Sequence, residues 1–264
     1  MIDLPNFDTN SFIIKACDFI KEKVQSAHCD GVVLGLSGGI DSAVVAYLAV
    51  KALGSSNVHG YILPTSTTSK QDLSDAKLIK DELNIHVDII SIDDFYTNFL
   101  NKCNKKNIPQ TNNILASANV KPRIRMSILY YYATVYNSLV IGTGNKTEIS
   151  VGYFTKYGDG GVDLLPIGDL YKEEVVKVAK ELGVPESIIE KPPTAGLLPE
   201  QTDEEELGMS YSELDRLLYL YLEKSCTSTD ISNKLNIELS EVERIINLYN
   251  SSEHKRNTPP ILKK

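Results

Sequence analysis

The sequence predicts an α/β protein built on a doubly wound parallel sheet, with a helical appendage near its C-terminal end. Two observations predict this fold. Short apolar segments alternate with longer segments of helical periodicity over the first 150 residues, which is the pattern of βαβ crossovers. The first apolar segment, "GVVLGL", runs directly into the small residues "SGG", as in strands that lead into a ligand-binding loop.

The elements follow in order along the N-terminal half. Residues 11–25 carry apolar side chains at helical spacing, and Asn10 precedes them as a plausible cap. Continuous apolar runs predict strands that are buried on both faces. Strands are predicted at 31–36, 58–64, 86–91 and 138–144, and helices at 42–54, 70–84, 93–103 and 120–137.

The C-terminal part differs in pattern. The polar segment 104–120 is predicted to be a loop over the sheet edge, and a glycine-rich loop after residue 150 precedes a helix at 171–183. Further helices are predicted at 211–224, 228–236 and 239–250. We expect one domain over 1–264, with a helical appendage at about 205–250 and a basic tail at 251–264.

Composition excludes several classes of protein. The formal charge of −8 disfavours a nucleic-acid binder, which usually carries a basic surplus. Four widely spaced cysteines are typical of reduced cytosolic thiols rather than of a disulfide framework or a metal site. The start of the chain lacks a signal-peptide pattern, and its apolar runs are too short for a membrane helix. We therefore expect a soluble, cytoplasmic protein that binds neither nucleic acid nor membrane.

Residues 37–42, "SGGIDS", follow the first strand and open a helix, a position that favours an anion such as phosphate. The loop lacks the lysine of a P-loop and the glycine spacing of a dinucleotide fingerprint. It carries instead Asp41, a carboxylate suited to magnesium, which commonly bridges phosphates to one or two carboxylates. The alternative is a glycine turn that only closes the strand–helix connection, with Asp41 favoured there by the helix dipole.

A second group of polar residues lies in segment 142–175, after the fourth predicted strand. It comprises Thr143, Glu148, Lys156, Asp163 and Lys172. Glu148 could join Asp41 on a metal, while the lysines could neutralise charge on a phosphoryl group. The segment is typical of a charged loop that closes over a ligand. A solvated surface loop is the alternative.

The motif S-G-G-x-D-S resembles the pyrophosphate-binding loop of the ATP pyrophosphatases, the PP-loop family, which cleave ATP between its α and β phosphates. Segment "TEISVGYFTKYGDG" closely resembles the corresponding segment of the NAD synthetases. Further similar blocks follow in the expected order: "NVKPRIRM", "KPPTAGL", "DEEELG" and "HKR". The resemblance spans about residues 10–258 and implies a Rossmann-like sheet of the adenine nucleotide alpha hydrolase type.

The resemblance also implies roles for individual residues. It implies catalytic roles for Asp41, Lys172 and Thr194, and magnesium bound by Asp41 and Glu148. ATP contacts are implied for Gly35, Leu36, Ser37, Gly38, Gly39, Ile40, Asp41, Ser42, Thr143, Lys172 and Thr194. Deamido-NAD contacts are implied for Arg123, Lys156, Asp163, His254 and Lys255, with Arg125 as the alternative to Arg123.

The reaction implied is ATP-dependent amidation of deamido-NAD to NAD through an adenylated carboxylate, with release of AMP and pyrophosphate. Such enzymes are homodimers that bind the dinucleotide along the interface. Glutamine-dependent relatives carry a large amidohydrolase domain ahead of the synthetase domain, whereas the phosphate loop here begins at residue 35. We therefore expect free ammonia as the nitrogen donor, unless a separate subunit delivers it.

Three other functions remain open from the sequence. Another PP-loop enzyme, GMP-synthetase-like or tRNA-modifying, would share residues 37–42 but lack the block at 152–160. A nucleotide-binding module without catalysis would explain the glycines but not the second charged group. Segment 228–251 has the outline of a helix-turn-helix, yet its acidic residues would repel DNA phosphates, which favours a helical packing unit.

Overall fold

A computed structural model describes residues 4–103, 110–193 and 203–263 of the chain. Four parallel strands form one sheet in the order β3-β2-β1-β4. The strands are β1 (Gly31–Gly35), β2 (Val58–Ile62), β3 (His86–Ile89) and β4 (Ser138–Val140). Val32 of β1 lies opposite Val58 on one side and Leu139 on the other, and a parallel bridge from Ile141 to Leu164 extends the edge beyond β4.

Helices cover both faces of the sheet, which confirms the doubly wound fold. The helices are α1 (Thr9–Ser26), α2 (Ile40–Leu53), α3 (Lys70–Leu83), α4 (Asp93–Cys103), α5 (Gln110–Ala118), α6 (Val120–Val135), α7 (Lys146–Val151), α8 (Lys172–Leu182), α9 (Glu186–Ile189), α10 (Asp203–Leu207), α11 (Tyr211–Leu222), α12 (Ser228–Leu235), α13 (Leu239–Ser251) and α14 (Glu253–Arg256). Helices α1, α2, α3 and α8 pack on one face and α6 on the other, where α4 and α5 contact it.

Burial explains why the first strand and helix are apolar throughout. Val32, Val33 and Leu34 are fully buried, because the central strand β1 has helices on both of its faces. Helix α2 is apolar around most of its circumference because it lies between α1, α3, α8 and the sheet. This burial holds the loop between β1 and α2 on a rigid base.

The C-terminal helices form a second core beside the sheet. Leu214, Leu217 and Leu218 of α11 are fully buried there, together with side chains from α12 and α13. Val151 of α7 and Tyr171, which precedes α8, join the same core. The appendage therefore packs directly on the two helices that follow β4 in the chain, and it is helical as predicted.

Two local predictions were wrong. Residues 110–118 form helix α5 rather than a loop, because contacts with α6 and burial of Ala118 outweigh the weak helical propensity of a polar segment. Asp8, not Asn10, caps α1, and its side chain accepts a hydrogen bond from the Ser11 amide at 3.1 Å. Residues 104–109 of the predicted loop lie outside the described residues.

Within the three described ranges, none of the helices is both long enough and apolar enough to cross a membrane.

Candidate active site

The strand order reverses beside β1, whose neighbours are β2 on one side and β4 on the other. The segment Leu36–Gly39 leaves the carboxyl end of β1, and Thr143 lies just beyond the end of β4. Ligands of open α/β sheets bind in the crevice at such a switch point. The structure thus brings the two polar segments predicted from the sequence to one cleft.

Two hydroxyl groups shape the loop of residues 37–42, which is predicted to bind phosphate. The hydroxyl of Ser42 is buried; it donates to the Gly39 carbonyl oxygen at 2.9 Å and lies 3.1 Å from the Ser37 hydroxyl. The Gly39 amide donates to the Ser37 hydroxyl at 3.2 Å. Gly39 stands at the cap position of α2 and has no side chain, so the first turn of this helix opens toward the cleft.

Gly38 lies against the first turn of α3. Its φ of +82° is a conformation that side-chain-bearing residues rarely adopt, and a Cβ there would lie 2.3 Å from the Asp72 carbonyl oxygen. Lys191 fixes this contact, because its ammonium group donates to the Gly38 carbonyl, to Asp72 and to Asp75, each at 2.7 Å. No local pattern marks Lys191 in the sequence, because its partners are more than 100 residues away.

Asp41 is the centre of a charged group at the base of the cleft. Its Oδ2 atom lies 2.5 Å from Nζ of Lys172, and both side chains are mostly buried. Its Oδ1 atom accepts a hydrogen bond from the Asn145 side chain at 3.0 Å. Burial alone would lower the pKa of Lys172, but the charges of Asp41 and Glu148 outweigh it and raise that pKa, so the ammonium stays charged.

Asn145 also connects Asp41 to Glu148. The backbone amide of Asn145 donates to Glu148 Oε2 at 3.2 Å, and the backbone amide of Glu148 donates to the side-chain Oδ1 of Asn145 at 3.0 Å. This capping box begins α7, and the spacing N-x-x-E could have predicted it from the sequence. One residue thereby holds two carboxylates side by side.

The two carboxylates fit a divalent cation. Burial and the negative charge of Asp41 together raise the pKa of Glu148 to about 8, so a positive charge between the two carboxylates is favoured. Within the described part of the chain, no group of three or more histidine, cysteine or acidic side chains could hold a metal by itself. Magnesium, which keeps waters and phosphate oxygens as ligands, suits a pair of carboxylates.

A second group, the basic cluster, consists of Arg123, Lys156 and Lys255. The Arg123 guanidinium donates to the Lys156 carbonyl at 3.3 Å, and the Lys156 ammonium contacts the His254 carbonyl. Lys255 donates to the carbonyl oxygens of Gly152 and Phe154 at 2.7 and 2.9 Å. The C-terminal helix α14 thus meets the loop after α7, and it concentrates positive charge on a protein whose formal charge is −8.

Two residues that were considered as contacts to the dinucleotide lie outside this cluster. Arg125 points into the protein, where its Nε donates to the Leu63 carbonyl at 2.9 Å, so Arg123 and not Arg125 stands beside Lys156. Asp163 accepts hydrogen bonds from the Tyr130 hydroxyl at 2.9 Å and from the Val140 amide at 2.7 Å, along the edge of β4. Its predicted contact with the dinucleotide stays a prediction.

The other predicted residues are placed as follows. Gly35 ends β1, Leu36 and Ile40 are buried beneath the loop, and Thr143 is half-buried at the cleft. Thr194, predicted to contact ATP, lies outside the described residues. Sequence reasoning missed Asn145 and Lys191, and it also missed Asp215 of α11, which contacts both α7 and α8.

Comparison with known proteins decides the family. The family model described as NAD synthase matches residues 12–259. The NH(3)-dependent NAD(+) synthetase of Archaeoglobus fulgidus is 50% identical over 248 residues, covering 94% of each chain.

The chain belongs to the NAD synthase family.

Solved structures agree with this assignment. The NMN synthetase of Francisella tularensis superposes with a TM-score of 0.85 at 37% identity, covering 98% of this chain and 100% of its own. The NH3-dependent NAD synthetase of Campylobacter jejuni, solved with a nitrate ion, gives a TM-score of 0.80 at 36% identity and the same coverage. Membership in the NAD synthase family disfavours the GMP-synthetase-like, tRNA-modifying and DNA-binding alternatives.

Proposed function

We propose that this protein uses ATP and ammonia to amidate deamido-NAD, forming NAD, AMP and pyrophosphate. The observation that carries the proposal is the group at the switch point, where Asn145 joins Asp41 to Glu148 and Asp41 pairs with Lys172. The curated relatives that match nearly the whole chain are named NH(3)-dependent NAD(+) synthetases, which supports ammonia as the nitrogen donor.

The first step joins two substrates. A carboxylate oxygen of the nicotinate ring forms a bond to the α-phosphorus of ATP, and the bond from that phosphorus to pyrophosphate breaks. A carboxylate is already nucleophilic, so the step depends on positioning and charge neutralisation. Bound magnesium would supply positive charge to the phosphate oxygens, held by Asp41 and Glu148. Lys172 adds a fixed positive charge at the same place.

The second step releases AMP. Ammonia attacks the activated carbonyl carbon, the carbon–oxygen bond to AMP breaks, and the nitrogen loses a proton to give the amide. Excluding water matters here, because water would hydrolyse the adenylate. We propose that the basic cluster binds the dinucleotide phosphates, since Arg123, Lys156 and Lys255 lie together where α14 meets the loop after α7.

We also propose that two copies of the chain associate through α4, α5 and α6. Large apolar side chains are exposed on each of these helices, which is unusual for a monomer. The exposed fractions are 56% for Phe95, 64% for Ile114, 67% for Leu115, 65% for Tyr131 and 56% for Val135. We further propose that the chain is one domain, because Val151 and Tyr171 are part of the C-terminal core. We propose a cytoplasmic location on the separate ground that its four cysteines are widely spaced.

Nicotinate mononucleotide is a second candidate substrate, because one similar solved structure is an NMN synthetase. Purified protein should be assayed with ATP, magnesium and ammonium, supplying deamido-NAD or nicotinate mononucleotide in turn. Formation of NAD, AMP and pyrophosphate in equal amounts is expected, with deamido-NAD preferred and with glutamine unable to replace ammonium. Pyrophosphate release without an amidated product would contradict the proposed function.

Asp41→Asn is the matching variant, since it removes a charge with little change in volume. It should lose nearly all turnover and keep its thermal unfolding transition. Activity close to that of the wild type at saturating magnesium would contradict the role given to Asp41.

A further inference from the structure

The N-terminus of α8 takes its hydrogen-bond partners from two other helices. The first amides of a helix have no partner within it, and a residue just before the helix usually supplies one. Tyr171 stands in that place, but its hydroxyl donates to Glu223 at 2.9 Å. The Lys172 amide donates instead to the Thr147 hydroxyl of α7 at 3.1 Å, and the Glu173 amide to Asp215 of α11 at 2.9 Å.

Asp215 connects all three helices. Its side chain is fully buried, and the oxygen that does not bind the Glu173 amide accepts from the Thr147 hydroxyl at 2.5 Å. Thr147 therefore accepts from the Lys172 amide and donates to Asp215. One carboxylate on α11 fixes the start of α8 relative to α7 through a continuous chain of hydrogen bonds, which we call the Asp215 relay.

The relay lies directly behind the charged group of the cleft. Thr147 adjoins Glu148, and the backbone of Lys172 is held at the position from which its ammonium reaches Asp41. We propose that Asp215 is a positioning residue for the amidation reaction: it sets the distance between Glu148 and Lys172 without touching a substrate. This inference rests on the proposed function of the same cleft.

Packing alone does not account for a charge at this position. Leu214, Leu217 and Leu218 of the same helix already supply a fully buried apolar core. Burying a carboxylate is costly, and apolar residues of similar volume often replace buried ionic groups without loss of stability. The hydrogen bonds to two helices are what the carboxylate adds.

The experiment compares the wild type with four single variants and with the double variant Asp215→Asn/Thr147→Val. Asp215→Asn and Thr147→Val break the relay with little change in volume, whereas Thr147→Ser keeps the hydroxyl. Leu218→Ala destabilises the same helix without touching the relay. We measure kcat, KM for deamido-NAD, the thermal midpoint and, by calorimetry without deamido-NAD, the affinity for ATP with magnesium.

The relay variants should lose about 10–100-fold in kcat, as is typical when the groups supporting a site are removed. KM for deamido-NAD should stay within about twofold, because its proposed contacts lie at the basic cluster, and ATP affinity should fall. Thr147→Ser and Leu218→Ala should keep kcat within about threefold. The double variant should lose no more activity than the worse single variant, because both changes break one chain of hydrogen bonds.

Two outcomes would overturn the positioning role. One is that Thr147→Val keeps wild-type kcat and ATP affinity. The other is that Leu218→Ala loses as much kcat as Asp215→Asn at an equal loss of stability. If Asp215→Asn does not fold, the Thr147 pair still decides the question. A wild type that makes no amidated product would instead refute the proposed function, and ATP affinity alone would then test the relay.

Discussion

The substitution Gly38→Ala tests whether the loop of residues 37–42 must approach α3 closely for the enzyme to use ATP. A Cβ at this position would lie 2.3 Å from the Asp72 carbonyl oxygen, whereas Cβ atoms essentially never approach a non-neighbouring heavy atom within 3.0 Å. The loop or the helix must therefore move by at least about 0.7 Å. A misplacement of about 1 Å can reduce turnover about 10²-fold. We expect Gly38→Ala to lower kcat/KM for ATP by about 10–100-fold.

Gly54→Ala is the matched control. Gly54 has a φ of +81°, almost the same as that of Gly38, and among the described residues no heavy atom beyond its chain neighbours lies within 4 Å of its added Cβ. With a ψ of 155°, Gly54 lies in a backbone region that almost only glycine adopts, and strain of this kind costs about 1–3 kcal/mol. Such strain lowers the thermal midpoint by about 2–12 °C in a protein of this size. Both variants should show a shift of this order.

The assay follows AMP and pyrophosphate release against ATP concentration, with thermal unfolding measured in parallel. Gly54→Ala should keep kcat/KM for ATP within about twofold. If Gly38→Ala also stays within threefold of the wild type, the close approach of the loop to α3 does not govern ATP binding. The assignment of the loop to the phosphates would then be refuted with it.

Three further predictions concern charge and assembly. Lys172→Met should lower kcat by about 10²–10³-fold, because it removes a fixed positive charge beside Asp41. The control Lys146→Met breaks ion pairs with Asp169 and Glu223 and should keep kcat within about threefold. Equal losses of kcat in the two variants would contradict the role of Lys172. Burial raises the pKa of Asp215 to about 6, above the ordinary value of about 4. The folded protein therefore binds more protons than the unfolded one between these values, and the free energy of unfolding should fall by about 3 kcal/mol as pH rises from about 4 to about 6. The free energy of unfolding of Asp215→Asn, measured with urea, should lack this decrease. An equal dependence of the unfolding free energy on pH in the variant and the wild type would contradict the prediction. Tyr131→Asp should halve the mass measured by light scattering, whereas Leu78→Asp, on the exposed side of α3, should leave the mass unchanged. A wild-type protein with the mass of a monomer would contradict the proposed dimer.

The sequence predicted the parts of the site that depend on local pattern. Apolar strands, helix periodicity and the glycines of residues 37–42 are contiguous signals, and each led to an element that the structure contains. Asp41, Glu148 and Lys172 were predicted as one group and do lie together. Sequence analysis could place them at one sheet edge because strands of a parallel sheet end on the same side.

Contacts between distant segments could not be predicted in the same way. Asp215 meets Thr147 across 68 positions, and Lys191 meets Gly38 across 153. No periodicity links such residues, because their approach depends on how the appendage and α8 pack. Helix α5 was missed for a related reason: tertiary contacts with α6 stabilise a segment whose own composition favours a loop.

The distance along the chain between these partners has a consequence for synthesis on the ribosome. All four strands lie before residue 141, so the sheet can pair while later segments are still being made. The start of α8 acquires its Asp215 partner only after residue 215 has emerged, and the loop after α7 acquires Lys255 later still. A nascent chain therefore gains its sheet well before it gains a complete active site.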